Sequence, residues 1–348
     1  MVNWSDGIPK KNNITVFLPS TLLNTEETVM LKTIKFGIFL RYLCIFKVNS
    51  VIIYPDNNDL SDLPLISTLF SYAMAPPYLR KYLFKHSNDL KYAGTLFPLN
   101  VCSHNPIKVP SSSFIEKYFD VLLDKFIKKY RSSIDLNHIY FGKKYLGNYH
   151  DLLLKPEKNA STNTIKRGIV INIPRNDKKT VVFVDPENIF EFEGDSCQLF
   201  EYVEVFDSNV PCLLSYKHDY FSSLNYNISK VDLIELLEEY RITHLRIGTS
   251  ENGVPYPSID PLSFIHKPLA LVFGPSKDGI EGTIQRTIEY RKAQNLESNK
   301  MKNPLNSLFD YYLNTIHDQG TETVRLEEAV GISLALFHSD KEKHEKNQ

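Results

Sequence analysis

With 348 residues, 42% of them hydrophobic, the chain can bury a sizeable core, which excludes a wholly disordered protein and suits one large domain or two smaller ones. Its 40 Lys and Arg nearly balance 41 Asp and Glu, so no global charge favours a polyanion, and any nucleic-acid surface has to be local. Cys44, Cys102, Cys197 and Cys212 lie far apart with no CxxC pair, which argues against a zinc ribbon or a disulfide scaffold and reads as buried thiols in a reducing compartment.

The first residues, MVNWSDGIPKKNN, have no apolar h-region. The greasiest stretch, FGIFLRYLCIF, is broken by Arg41 and falls short of the ~20 apolar residues that a membrane span needs. The expectation is a soluble, intracellular protein with no membrane partner. ITVFLPS, Ile14 to Ser20, reads as a strand ending at proline. From about Thr25 apolar residues recur at helical spacing through Leu31, Ile34, Ile38 and Tyr42, and SVIIYPD supplies a second buried strand. Such strand, helix, strand units build parallel sheets. LPLISTLFSYAMAPPYLRKYLF looks helical on both sides of Pro76 and Pro77, which must end or kink it.

Between about Gly94 and Val205 the pattern changes. GIVINIPRNDKKTVVFVDPENIFEFEG has β-branched runs separated by turn residues, which predicts antiparallel hairpins. SSFIEKYFDVLLDKFIKKYR adds a helix with capping-box spacing at Ser113 and Glu116. Charge is segregated here. Lys125 to Lys179 holds ten Lys and three Arg against three Asp and one Glu, whereas Asp185 to Asp207 holds eight acids and no Lys or Arg. A basic face interleaved with Tyr130, Tyr140, Phe141, Tyr145 and Tyr149 could follow a phosphate backbone and stack on bases, or be a solvated face with structural tyrosines; both readings stand.

The α/β pattern resumes near Ser229, an expected N-cap for the helix in SKVDLIELLEEY, with Asp232 in its first turn. Then come the strand THLRI, the loop GTSENG, the strand PLALVFG, the loop PSKDG, a helix from about Ile280, and a last strand, Leu308 to Thr315, with its loop, Ile316 to Thr323, and a helix from Val324. Three successive strands therefore end in small glycine-bearing loops, and in open α/β sheets ligands bind outside the carboxyl ends of strands. The expected organisation is a discontinuous α/β domain of residues 1–93 and 206–338, an inserted β domain of residues 94–205 with an added helix, and a disordered charged tail of residues 339–348.

No Walker pattern is present and no GxGxxG follows the first strand. Ser250 lacks the GxSxG elbow, so GTSENG reads as a backbone-lined turn rather than a nucleophile. The three loops suit a ligand gripped by main-chain groups, or are tight turns. Arg41, inside an apolar helix, must reach solvent or an anion. His104 and His266 have no partners at metal-ligand spacing and read as structural, so no metal is expected.

GTSENG (Gly248 to Gly253), ALVFGPSKDGIEG (Ala270 to Gly282) and LFDYYLNTIHDQGTETVRLEEAVGISLA (Leu308 to Ala335) together resemble the SPOUT class of α/β-knot RNA methyltransferases, in particular an archaeal and eukaryotic branch. KFGIFLRYLCIFKVNSVIIY, PPYLRKYLF, YAGTLFPLN and KRGIVINIP fit the same pattern. The resemblance implies an α/β trefoil-knot domain with a parallel sheet, interrupted by a small OB-like β-barrel suited to RNA. It implies S-adenosyl-L-methionine as cofactor, a homodimer that completes each site, and methyl transfer to ribosomal or other structured RNA. A nuclear, nucleolar location and pre-ribosomal particles as partners follow from the same resemblance.

Carried onto this chain, it implies Arg41 and Glu251 as catalytic residues, Arg41 by the family's spacing of glycine, three residues and arginine from Gly37. It assigns cofactor binding to Gly248, Thr249, Ser250, Gly253, Phe273, Gly274, Gly279, Asn314, Gly320, Thr323 and Val324. Glu327 is expected to cap the last helix from its first turn. The chain departs from the family at Asn252, where arginine is usual, at Pro275, where a second glycine is usual, and in SYKHDYFSSL, which lacks the usual glycine and arginine. Those departures point to a second reading, a catalytically inactive RNA-binding or assembly factor in ribosome biogenesis. A protein-interaction scaffold is a third.

Overall fold

The computed structural model describes residues 12–77, 80, 84–101, 104, 164–172, 179–185, 188–193, 202–207, 212–214, 224–259, 264, 267–294 and 304–347. The chain forms two compact units, one of Asn12–Leu69, Tyr92–Phe97 and Leu224–Gln348, the other of Met1–Lys11, Phe70–Lys91 and Pro98–Ser223.

In the first unit the elements run β1 (Asn12–Pro19), α1 (Val29–Ile45), β2 (Val48–Tyr54) and the first part of α2 (Leu63–Met74), whose residues from Phe70 belong to the second. After the second unit's β3 (Thr164–Asn172), β4 (Lys179–Asp185), β5 (Asn188–Glu193), β6 (Tyr202–Asp207) and β7 (Cys212–Leu214), the chain returns with β8 (Asn225–Ile228), α3 (Leu233–Tyr240), β9 (Leu245–Pro255) and β10 (Leu269–Phe273). α4 (Gly279–Ala293), α5 (Pro304–Leu308), β11 (Tyr311–Asn314) and α6 (Leu326–Asn347) follow.

Six parallel strands pair in the order β11-β9-β10-β1-β2-β8, so the parallel α/β sheet expected from the strand, helix, strand pattern is present. β1 lies between β10, in register Ile14 with Leu269 to Phe17 with Val272, and β2, in register Val16 with Val51 to Pro19 with Tyr54. From β1 the chain moves to β2 on one side; from β10 it moves to β11 on the other. Their following loops therefore diverge at this switch point, which is where open α/β sheets bind ligands.

Both faces of the sheet are covered, as parallel sheets require. Phe17, Ile52, Tyr54, Ala270 and Val272 pack with Leu233 and Leu237 of α3, Ile280 and Ile284 of α4, and Leu308 of α5. The alternate residues Val16, Leu18, Val51, Ile53, Leu271 and Phe273 are also buried, and α1 packs on α6.

Several boundaries differ from expectation. Thr28 caps α1, and the buried side of that helix is Phe36, Phe39, Leu40 and Leu43, not the stripe of Leu31, Ile34, Ile38 and Tyr42. Leu31 is exposed, and the helix turns Gly37 toward Leu96 and Phe97. α2 stops at Met74, ahead of the two prolines. α3 is capped by Asp232, whose carboxylate accepts from the Glu235 amide at 3.0 Å, whereas Ser229 forms a local turn with the Val231 amide. The predicted last strand is shorter: Leu308 ends α5, and only Tyr311–Asn314 pair with β9.

In the second unit β3 to β7 make an antiparallel sheet in the order β5-β4-β3-β6-β7, around buried Val170, Val182, Val203 and Val205. Most of the basic segment, its tyrosines, the helix predicted from Ser112, His266 and residues 215–223 of the SYKHDYFSSL stretch lie outside the described residues, whereas Lys166 and Arg167 fall in β3 and Lys179 in β4. His104 is within them and is structural: its Nε2 lies 3.1 Å from the Met74 carbonyl.

Candidate functional site

The site is built on the carboxyl ends of β9, β10 and β11. GTSENG, predicted as a loop that ends a strand, is instead a bulge inside one. β9 pairs with β11 at Ile247 and Gly248, skips Thr249 to Gly253, and pairs again at Val254 and Pro255. A bulge re-aims side chains without ending the ladder. Thr249 Oγ1 donates to the Val272 carbonyl at 2.9 Å, and Asn314 Nδ2 donates to the Glu251 carbonyl at 2.9 Å. The Asn252 amide donates to Ser250 Oγ at 3.2 Å.

The second loop closes over itself. The Gly279 amide donates to the Pro275 carbonyl at 3.1 Å, so Pro275 supplies the acceptor of this turn and its missing N–H costs the turn nothing. Gly279 sits at φ +62°, a left-handed conformation that glycine takes without strain. The third loop begins with Asn314 Oδ1 accepting from the Ile316 amide at 3.0 Å, and Gln319 Nε2 bridges the carbonyls of Thr321 and Glu322. Thr315 and Ser333 hydroxyls meet at 2.8 Å, tying that loop to α6.

Of the residues assigned to the cofactor, the glycines divide. A Cβ on Gly248 would stand 2.6 Å from the Tyr312 ring, on Gly253 2.4 Å from the Leu313 carbonyl carbon, and on Gly274 2.2 Å from the Ile280 amide. Each is needed by the protein's own packing. Gly320 has nothing within 4 Å of where its Cβ would stand, so its backbone face is open to a ligand. Phe273 is core, and its carbonyl accepts from the buried Tyr54 hydroxyl at 2.7 Å. Thr323 is exposed, and Val324 is half-buried beside it.

Glu251 is exposed. Arg41 is half-buried near the far end of α1. It stands thirteen residues beyond the N-cap Thr28, a rise of about 20 Å at 1.5 Å per residue. In a strand, helix, strand unit the helix runs back from the carboxyl edge, and the adjacent Tyr42 ring lies against Gly331 of α6. Nearby, burial pushes the Cys44 thiol up to about 12, with the Arg41 charge opposing.

Sequence reading missed three groups here. Asp56, 3% exposed, accepts from Thr21 Oγ1 at 2.7 Å, Thr283 Oγ1 at 2.8 Å and Arg286 Nη2 at 2.9 Å, and Arg286 also grips Asp278 in the second loop. Buried Lys35 reaches Thr25 Oγ1 at 2.5 Å, Glu26 at 3.7 Å and Glu327 at 3.4 Å, joining the loop after β1 to the start of α6. Glu327 is thus a buried ion-pair partner rather than a cap. Glu328 takes the capping part, accepting from the Arg325 amide at 3.0 Å. Third, Glu281 accepts from Ser250 Oγ at 2.9 Å. Among the described residues no cluster of three or more His, Cys, Asp or Glu could hold a metal, and no helix is long and apolar enough to cross a membrane.

Comparison with known proteins adds identity. The profile of a family described as "Putative RNA methyltransferase" matches residues 13–116 and 144–337. A Drosophila melanogaster protein named 28S rRNA (uridine-N(3))-methyltransferase is 22% identical over 94% of this chain and 62% of its own length. The Mus musculus protein of the same name is 25% identical over 93% of this chain and 75% of its own length. An uncharacterized Halobacterium salinarum protein is 34% identical over 25% of this chain and 32% of its own length. The chain thus spans 62% of the Drosophila relative.

Proposed function

The chain belongs to this RNA methyltransferase family, and from that premise we propose that it is a SPOUT-type enzyme that methylates RNA with S-adenosyl-L-methionine. The observation that carries the proposal is the mutual pinning of three loops at the carboxyl edge of one parallel sheet: Asn314 holds Glu251, and Glu281 holds Ser250. The donor set fits a sulfonium cation. The three loops carry Glu251, Asp278, Asp318 and Glu322 against Lys277 alone, and Glu281 follows the second in the first turn of α4. Open backbone at Gly320 and the half-buried Val324 offer a bed for the adenosine part.

When bound, the donor supplies an electrophilic methyl group, whose transfer leaves a neutral thioether. The protein's own task is then to orient the acceptor and accept its proton. The named activity of the relatives suggests a uridine N3 of ribosomal RNA as acceptor here, and that nitrogen must lose its proton as the new C–N bond forms. Glu251 is the exposed carboxylate for facing the sulfonium or the acceptor, and Arg41 is the cation for phosphate or acceptor.

Arg41 would serve the loops of a second copy, completing a homodimer site. Exposed Val29, Met30, Leu31 and Ile45 on α1 and Ile332 on α6 offer an apolar face for that dimer. The α/β trefoil knot and an OB-like character for the inserted sheet belong to the same proposal, as do the domain limits 1–93 plus 206–338 and 94–205. So do RNA contacts from the basic segment Lys125 to Lys179, nucleolar location and pre-ribosomal partners.

The test is transfer of labelled methyl from S-adenosyl-L-methionine to ribosomal RNA, with mass spectrometry of the modified nucleoside. Arg41→Ala should abolish transfer, and mixing it with a variant broken in the late loops, Gly274→Ala, should restore part of it. RNA crosslinking without cofactor binding or transfer would favour the assembly-factor reading.

A further inference from the structure

The carboxylate of Glu281 stands where the three late loops meet. It lies in the first turn of α4, directly after the second loop. Its Oε1 accepts from Ser250 Oγ in the first loop at 2.9 Å, and Ser250 Oγ accepts from the Asn252 amide at 3.2 Å. Its Oε2 curls back over Gly279, within 2.9 Å of where a Cβ there would stand, so glycine at 279 leaves the space that the carboxylate fills. Tyr312, on the strand that leads to the third loop, completes the cluster. Its ring lies against Gly248, and its phenol, beside the carboxylate, is pushed well above its ordinary range by burial and by Glu281.

We infer that Glu281 is a positioning residue for the methyl donor: by holding Ser250, and through its hydroxyl the Asn252 amide, it fixes the shape of the Thr249 to Gly253 bulge that lines the site. The inference rests on the donor-binding reading above. Although burial opposes it, the Ser250 hydroxyl and the neighbouring Tyr312 and Asn252 hold the carboxyl below its ordinary value. A carboxylate stabilised in that way is a weak proton acceptor, which suits a structural anchor for the bulge and not a general base.

Calorimetric binding of S-adenosyl-L-methionine and S-adenosyl-L-homocysteine to the full chain tests it. Glu281→Ala should weaken both ligands on the order of tenfold, the size expected for losing a charged hydrogen-bond anchor. Glu281→Gln, which keeps the shape, should recover part of that loss, and Ser250→Ala should weaken both ligands by a factor of about three. The Glu281→Gln/Ser250→Ala double variant should be no worse than the more affected single, because one link is being cut twice. Unchanged affinities alongside a lowered melting temperature would overturn the inference, since Glu281 would then serve stability alone. Loss confined to the sulfonium ligand would also overturn it, because the charge would then act on the donor directly. Wild-type protein that binds neither ligand would instead overturn the donor-binding reading beneath it.

Discussion

Asp56 and Arg286 meet at 2.9 Å, and through them the end of β2 holds the loop after β10. Asp56 is buried with two threonine hydroxyls as further donors, while Arg286 passes outward to the half-exposed Asp278. The pair ties the loop after β2 to α4 and, through Asp278, to the second loop, so its strength bears on stability and on that loop together.

Removing Arg286 leaves Asp56 buried with an uncompensated charge. Arg286→Met should therefore cost about 3 kcal/mol, at the low end for a broken buried pair because Thr21 and Thr283 still donate. Asp278→Ala touches the exposed arm and should cost less than about 1 kcal/mol. Urea unfolding of both variants checks the order; equal losses would place the strength in the exposed arm.

Lys35 and Glu327 form a second buried pair, 3.4 Å apart, with side chains 4% and 6% exposed. Lys35→Met should destabilise by about 3 kcal/mol, because it leaves the buried Glu327 carboxylate with only the exposed Arg325, 3.9 Å away. Adding Glu327→Leu should return most of that stability, since two apolar side chains of similar volume can replace a buried ion pair. A double variant as weak as the single would show that Glu26 and Thr25 depend on the lysine charge for more than its partner.

Alanine substitutions should separate glycines that pack from the glycine that is open. Gly248→Ala and Gly274→Ala force a Cβ into the Tyr312 ring and the Ile280 amide, and each should cost about 2–3 kcal/mol. Gly320→Ala meets nothing and should leave stability within about 0.5 kcal/mol. Its donor affinity should nevertheless fall if the ligand lies against that backbone. Thermal melts paired with calorimetry measure the two effects separately.

His104 makes stability fall in mild acid. Burial pushes its imidazole down to about 4, with the Arg80 charge adding to the effect and the Met74 carbonyl opposing it. The unfolded chain, with histidine near the usual ~6.5, binds a proton that the folded chain refuses. Stability contributed by this residue is therefore present above about pH 6.5 and is lost toward pH 4, by up to about 1.4 kcal/mol per pH unit. His104→Gln, which can still donate to the Met74 carbonyl, should flatten the stability profile between pH 7 and pH 5 in urea titrations.

The sequence alone determined which stretches would be strands of a parallel sheet, because β-branched and aromatic runs such as TVFLP and ALVF, separated by helical periodicities, have few other ways to bury both faces. It also marked PSKDG and the stretch after Asn314 as turns at strand ends, since glycine and short polar residues break both periodicities locally; GTSENG carries the same signal and is a bulge inside β9. Only the tertiary structure decided what the glycines are for: Gly248, Gly253 and Gly274 admit neighbouring strands and rings, and Gly320 faces open space. It alone joined Asp56 to Arg286 across 230 positions, Lys35 to Glu327, and Ser250 to Glu281. Such pairs are invisible in sequence because an isolated acid or base carries no periodicity and is usually solvated. Their meaning comes from burial, which removes water as a partner and leaves one opposite charge or donor to take its place.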